Sequence, residues 1–231
     1  MLEIENLRVA FGAVVAVNNV SLSVPASHSV GLIGPNGAGK TTLLNSISGF
    51  ARASGSVRLA GRELTKLRPD ARARLGLART FQTAQLFEEQ TVRDHLVLAA
   101  DYAQDGALTA EDAAQFVSMD HALETPVAVL DSRARGLLEL ARALVPKPRL
   151  LLLDEPAAGL LPAEVEELQG LLARIRASFE LSLLLVDHNM DLVLQSTDSV
   201  YVLDFGEAIF HGTPAEVRES PTVIDAYLGK G

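Results

Sequence analysis

Near the N-terminus apolar and polar positions alternate, with Leu2, Ile4, Leu7 and Val9 in one stretch, Val14 to Val17 in the next, then Val20, Leu22 and Val24. A period of two rich in β-branched side chains predicts short antiparallel strands, separated by turns at Phe11-Gly12 and Asn18-Asn19. The pattern changes at Ser29 to Ile33, an apolar run that predicts a strand buried on both faces. After a glycine-rich turn, Lys40 to Ser48 place Leu43, Leu44 and Ile47 on one helical face, and Gly49 stops the helix. Ser56 to Leu59 predicts another strand, with a turn at Gly61. Further on, Leu137 to Leu144 reads as helix and Leu150 to Leu153 as a fully apolar strand. Pro162 opens a helix whose Val165, Leu168, Leu172 and Ile175 form one stripe, and Leu183 to Val186 and Val200 to Leu203 are two more strands. Strands alternating with helices predict an α/β fold, a mostly parallel sheet covered on both faces. From Pro69 to about Arg135 the periodicity weakens and Ala, Arg, Asp and Gln accumulate. This stretch predicts a mostly helical subdomain, inserted at about residues 84–136 of a single unit spanning 1–231.

The length, 231 residues, compares with a prior of roughly 150 per domain and fits one large domain with a subdomain. Twenty Lys and Arg against 29 Asp and Glu leave a formal net charge of −9. That balance argues against nucleic acid as the main partner, because phosphate-backbone affinity rests on Lys and Arg. Although 48% of the residues are hydrophobic, no run approaches the roughly 18 apolar residues of a membrane span. Cysteine is absent, which removes disulfides, thiolate catalysis and Cys-based metal sites together. The opening MLEIENLRVAF lacks the basic-then-apolar layout of a signal peptide, so a cytoplasmic location is expected.

Gly34, Pro35, Asn36, Gly37, Ala38, Gly39, Lys40 and Thr41, followed by Thr42, fit the pattern G-x-x-x-x-G-K-[ST], with strand before and helix after as its mechanism demands. Glycines let backbone N–H groups turn inward around phosphate oxygens, and the positive end of the helix dipole faces the same anion. Lys40 supplies a point charge to the β- and γ-phosphates and Thr41 a hydroxyl to Mg²⁺. Only four lysines occur, Lys40, Lys66, Lys147 and Lys230, and one falls where the loop needs it. The strand Leu150 to Leu153 ends in Asp154 and Glu155; a carboxylate there can hold Mg²⁺ beside the phosphates. Glu155 could then polarise a water for attack on the γ-phosphate. Taken singly, each feature also has a plain reading, a glycine-rich turn or a buried strand with an acidic end.

Together the motifs resemble the ATP-binding subunits of ABC transporters, from Leu2 to about Phe87 and again from Leu137 to Gly229. The loop Gly34 to Thr41 looks like the family's Walker A, and Arg79-Thr80-Phe81-Gln82 like its Q-loop. Leu150 to Glu155 looks like its Walker B with the catalytic glutamate, and Val186-Asp187-His188 like its switch histidine. Phe11 stands where family members put an aromatic ring against adenine. The resemblance implies a P-loop NTPase with a RecA-like core, an N-terminal antiparallel β subdomain and a shortened α-helical subdomain. It implies catalytic Glu155, His188 and Gln82, Mg²⁺ held through Thr41, Gln82 and Asp154, and ATP as the nucleotide. It also implies transmembrane permease subunits, a second ATPase subunit, an indirect extracytoplasmic solute-binding protein, and a peripheral position on the inner face of the cell membrane. Within the family, Phe11 to Val20, Ala78 to Gln82, Asp154 to Leu160, and the tail segments His211 to Pro214 and Ala226 to Gly229 are similar to branched-chain amino-acid importers and their amide and urea relatives.

Three departures stand out. The family's signature, LSGGQ or a near variant, falls on Leu130, Asp131, Ser132, Arg133 and Ala134, where only Leu130 matches. Asp131 would carry negative charge towards the partner's γ-phosphate, and Arg133 bulk where the backbone must approach closely; direct contact of Arg133 or Arg135 with the phosphate is the alternative. Leu161 replaces a polar residue that faces the partner subunit, and the stretch from Gln82 to Leu130 is short for the subgroup. The expectation is therefore a heterodimer in which ATP on this chain's P-loop is hydrolysed against a partner's intact signature. A regulatory ABC subunit with little turnover, a non-transport ABC ATPase and a simple P-loop kinase are the alternatives.

Overall fold

The computed structural model describes residues 1–82, 85–103 and 106–228. The start of the expected insertion at residue 84 and Gly229 of the tail segment lie outside the described residues.

The N-terminal alternation folds as β1 (Leu2–Phe11) and β2 (Val14–Val24), followed by β3 (Ser29–Ile33), α1 (Lys40–Ser48), β4 (Ser54–Leu59) and β5 (Arg62–Glu63). β1, β2, β4 and β5 make an antiparallel sheet in the order β2-β1-β4-β5. The turn expected at Asn18-Asn19 does not exist. β2 runs straight through it, the partner register slips between Leu7↔Val20 and Val9↔Val17, and Asn19 takes φ 53°. This is a bulge, and Asn suits it for the reason it suits turns: it tolerates the left-handed region. The kink has a use, because the Asn18 N–H donates to Gly206 O at 2.7 Å and Asn18 Nδ2 to Glu207 at 2.7 Å, tying this sheet to the other.

Then come α2 (Pro69–Arg74), β6 (Leu77–Arg79), α3 (Val92–Asp101), α4 (Ala110–Phe116) and α5 (Ser132–Leu144). β6 is a strand that the expectation of a mostly helical stretch did not include; three residues are too few to carry a period, and only pairing with the next strand makes them β. α5 begins earlier than the expected Leu137. Its first turn is polar, and the Asp131 carboxylate caps it by accepting the Ala134 N–H at 2.7 Å, as an N-cap does. The chain closes with β7 (Leu150–Asp154), α6 (Pro162–Ser178), β8 (Ser182–Val186), α7 (Met190–Ser196), β9 (Ser199–Asp204), β10 (Glu207–Gly212), α8 (Pro214–Glu219) and α9 (Pro221–Leu228).

The second sheet has the order β10-β9-β3-β8-β7-β6, parallel except for the β9–β10 hairpin. Its central strands are apolar on both faces because each face carries its own core. Leu151, Leu153, Leu183 and Leu185 join one cluster with α5, α6 and α7. Leu150, Leu152, Leu184 and Val186 join another with α1 and the small sheet. The carboxyl ends of β3, β6, β7 and β8 therefore open on one edge, where parallel α/β sheets bind ligands.

Candidate active site

Two glycines fix the loop after β3. Gly34 has φ 154°, and a Cβ there would lie 2.1 Å from the Leu203 carbonyl of β9; Gly39 has φ 99°, and its Cβ would lie 2.4 Å from the Ala16 carbonyl of β2. A side chain at Gly34 would push the loop off β9 of the larger sheet, and one at Gly39 would push it off β2 of the smaller. Ala38 N–H donates to Pro35 O at 3.1 Å and Gly206 N–H to Ala38 O at 3.0 Å, while Asn36 and Gly37 are exposed. Thr41 is exposed and Thr42 half-buried in the first turn of α1, where backbone N–H groups lack intrahelical acceptors. Lys40 is buried, and its Nζ donates to Gly34 O at 2.7 Å and Pro35 O at 3.1 Å. Burial pushes its pKa down, against the opposing pull of Glu155, Asp154 and Asp187.

At the end of β7 the Asp154 side chain is 2% exposed and pairs with Arg79. Its Oδ2 accepts from Arg79 Nη2 at 2.8 Å. Its Oδ1 has no hydrogen-bond partner among the described residues. A buried carboxylate oxygen left without a donor suits a hard cation. No group of three or more His, Cys, Asp or Glu among the described residues could hold a metal alone. The arrangement thus fits Mg²⁺ carried on phosphates and steadied by few protein oxygens, with Asp154, Thr41 and Gln82 as the candidates.

Glu155 adopts φ 51°, an uncommon conformation for a residue with a side chain. Its N–H donates to Val186 O at 2.7 Å, and its Oε2 accepts from Gln82 Nε2 at 2.8 Å. His188, with a side chain 61% exposed, brings Nδ1 to 3.9 Å from the same oxygen. Beneath them Asp187 is fully buried and accepts from the Ala157 N–H at 2.9 Å and the Asn189 N–H at 2.8 Å, locking the loop after β7 to the loop after β8. Gln82, Glu155 and His188 therefore meet just beyond the carboxyl ends of three neighbouring strands. Phe11 stands apart at the tip of the β1–β2 hairpin, 59% exposed, on the sheet whose Ala16 carbonyl touches Gly39.

Sequence reasoning gave no role to Arg79 or Asp187, although both lie inside recognised segments. The available signal was a charged residue within an apolar strand end. Around Leu130 to Ala134, Asp131 caps its own helix, Arg133 pairs with Glu167 and lies 3.9 Å from Glu164. Arg135 grips both oxygens of Glu88 at 2.6 and 2.7 Å and donates to the Leu130 and Val127 carbonyls. Both arginines thus have partners within the chain. Leu161 is exposed, with its N–H bonded to Glu164 at 2.7 Å.

The glycine-rich loop running into α1, the acidic pair ending β7 and the parallel sheet define a P-loop nucleotide-binding α/β protein. The chain belongs to the ABC transporter ATP-binding family: the family model described as "ABC transporter" matches residues 17–158. A second model, described as "Branched-chain amino acid ATP-binding cassette transporter", matches residues 209–231. The high-affinity branched-chain amino acid transport ATP-binding protein BraF of Pseudomonas aeruginosa is 37% identical over 250 residues, covering 100% of this chain and 98% of the relative. Its counterpart LivG of Escherichia coli is 38% identical over 252 residues, with the same coverage of 100% and 98%. A nucleotide-free ATP-binding cassette from an ABC transporter superposes with a TM-score of 0.89 at 28% identity, covering 100% of this chain and 99% of that one. The ADP conformation of another such cassette gives 0.87 at 29% identity, covering 100% and 99%. Among the described residues no helix is long and apolar enough to cross a membrane.

Proposed function

We propose that this chain is the ATP-hydrolysing motor subunit of an importer for branched-chain or other hydrophobic amino acids, amides or urea. The observation that carries the reading is the convergence of Gln82 and His188 on Glu155, one residue beyond the half-paired carboxylate of Asp154. The whole chain, 1–231, acts as one nucleotide-binding cassette with a helical insertion from about residue 84 to 136. Phosphate oxygens take over the Lys40 ammonium from the Gly34 and Pro35 carbonyls, and the loop from Gly34 to Gly39 with the first turn of α1, Lys40 to Thr42, surrounds them. Phe11 lies against the adenine. Asp154, Thr41 and Gln82 would hold Mg²⁺ together with the nucleotide, and the ion would supply positive charge to offset what develops on the phosphates. Glu155 accepts a proton from water as the water oxygen bonds to the γ-phosphorus; the bond to the leaving ADP breaks, and phosphate departs. Gln82 and His188 orient Glu155 and the attacking water.

The same reading makes the chain half of a heterodimer, bound to transmembrane permease subunits on the inner face of the membrane and served indirectly by an extracytoplasmic solute-binding protein. Support comes from Leu130 to Ala134. Asp131 occupies its own helix cap, so the N–H it takes and the charge it brings are both unfavourable to a partner's γ-phosphate. The test is MgATP-dependent dimerisation of purified Glu155→Gln, followed by size-exclusion chromatography with light scattering. Blocking the base traps any closed dimer. The expected result is an ATP-loaded monomer that dimerises only when a second ATPase subunit with an intact signature is added; a stable homodimer overturns the heteromeric reading. In the reconstituted transporter the same substitution is expected to lower turnover by about 10²–10⁴-fold with nucleotide binding intact.

A further inference from the structure

Arg79 is the last residue of β6, yet its contacts reach two other elements. Its side chain is 4% exposed. Nη2 donates to Asp154 Oδ2 at 2.8 Å, and Nη1 donates to Asn45 Oδ1 at 2.8 Å and Ser48 Oγ at 2.7 Å. The guanidinium carbon lies 4.7 Å from the centre of the Phe81 ring, which sits edge-on to Phe50 with centroids 5.6 Å apart. Asn45 and Ser48 both belong to α1. At helical spacing, residues four and seven positions after Thr41 share its face, and those residues are Asn45 and Ser48. The planar guanidinium thus ties the Asp154 carboxylate to the helix face that carries the Thr41 hydroxyl.

We propose that Arg79 is a positioning residue for the metal–nucleotide site. By engaging Asp154 Oδ2 alone, from an anchor on α1, it fixes the carboxylate plane so that Oδ1 stays open to the Mg²⁺ of the bound nucleotide. This rests on the reading of Asp154 as the metal-side carboxylate. The planar fork matters because a guanidinium presents donors in fixed directions, whereas an ammonium is a rotating point charge. Arg79 makes no contact with the nucleotide in this account. Its loss should change how the site uses Mg²⁺ and leave metal-free nucleotide binding alone.

The experiment measures binding of a fluorescent ATP analogue to the full chain carrying Glu155→Gln, in EDTA and across a Mg²⁺ titration, with Arg79→Met, Arg79→Lys and Asp154→Asn compared. Arg79→Met is expected to raise the Mg²⁺ concentration at half-maximal effect by about 10–100-fold, the usual consequence of losing an outer partner of a metal ligand. Its affinity in EDTA should remain within about twofold. Arg79→Lys should recover part of the loss. An unchanged Mg²⁺ midpoint for Arg79→Met beside a shifted one for Asp154→Asn overturns the proposal, as does equal weakening with and without Mg²⁺. If Asp154→Asn itself leaves the midpoint unchanged, the assignment of Asp154 is what fails. Should Arg79→Met not fold, judged by thermal melting, Asn45→Ala with Ser48→Ala decides. That pair keeps the Arg79–Asp154 contact but frees the anchor, and a midpoint identical to the parent's overturns the proposal.

Discussion

Lys40 is a buried ammonium satisfied by carbonyls of its own loop. Burial depresses its pKa while three carboxylates oppose the shift, so the charge is held in readiness by groups that phosphate oxygens can replace. Hydrogen bonds to charged groups contribute roughly 1.5–3 kcal/mol each, and about 1.4 kcal/mol is tenfold in affinity. Lys40→Met keeps the stem and removes the charge. Its ATP affinity is expected to fall by about 10–100-fold, read by equilibrium dialysis, and near-normal affinity would refute the assigned role. Glu155 illustrates a different economy of the same site. Its left-handed backbone costs about 1–2 kcal/mol for an L residue, and the N–H bond to Val186 O holds it in that conformation. A strained conformation at the residue read as the base is consistent with strain concentrating where function demands it.

The β4–β5 hairpin shows how one carboxylate can organise an element. Glu63 accepts from the Thr65 hydroxyl, the Ser56 hydroxyl, the Thr65 N–H and the Val57 N–H. Burial pulls its pKa up, but these bonds outweigh it and bring the group down to about 2. The folded value lies below the unfolded one, so the stabilisation is fully present above about pH 4.5 and is lost as pH falls towards 2. Because the side chain is 48% exposed, solvent screening holds the effect to about 1 kcal/mol. Glu63→Gln is therefore expected to melt lower than the parent at pH 7, with the gap closing between pH 4.5 and 2; a gap independent of pH would exclude this origin. Elements also mark what the sequence could reveal. α1 was legible to the residue, since Gly39 and Gly49 bound an apolar face. The start of α5 was not, because Ser132 to Arg135 carry no apolar period and Asp131 is both the helix cap and a position of the degenerate signature. Asn18 and Asn19 carry a turn signal but form a bulge within β2, because bulges and turns draw on the same residues.

At the scale of the whole molecule, short contiguous patterns were legible and long-range pairings were not. The P-loop pattern and the Asp154-Glu155 strand end are short, contiguous signals. The bridge from β6 through Arg79 to α1 and β7 joins residues far apart in sequence, and no spacing encodes it. The paired cores were half visible: uninterrupted Leu150 to Leu153 announced burial on both faces, but only the fold says which leucine faces which cluster. The proposed division of labour between two subunits also belongs to this scale. It predicts that Asp131→Ser, Ser132→Gly, Arg133→Gly and Ala134→Gln, made together in the assembled heterodimer, raise ATP turnover. Ser at the cap keeps an oxygen for the helix N–H groups, and the exposed Arg133–Glu167 pair contributes at most about 1 kcal/mol, so the helix should survive the exchange. What changes is the charge and bulk offered to the phosphate on the opposite subunit. Turnover measured in proteoliposomes should rise by at most about twofold, since one active site becomes two, with each retaining its own Walker motifs. The added activity should disappear when the partner's P-loop lysine is replaced, because the restored signature serves the ATP held there. Unaltered turnover would mean that the segment from Leu130 to Ala134 does not limit that site.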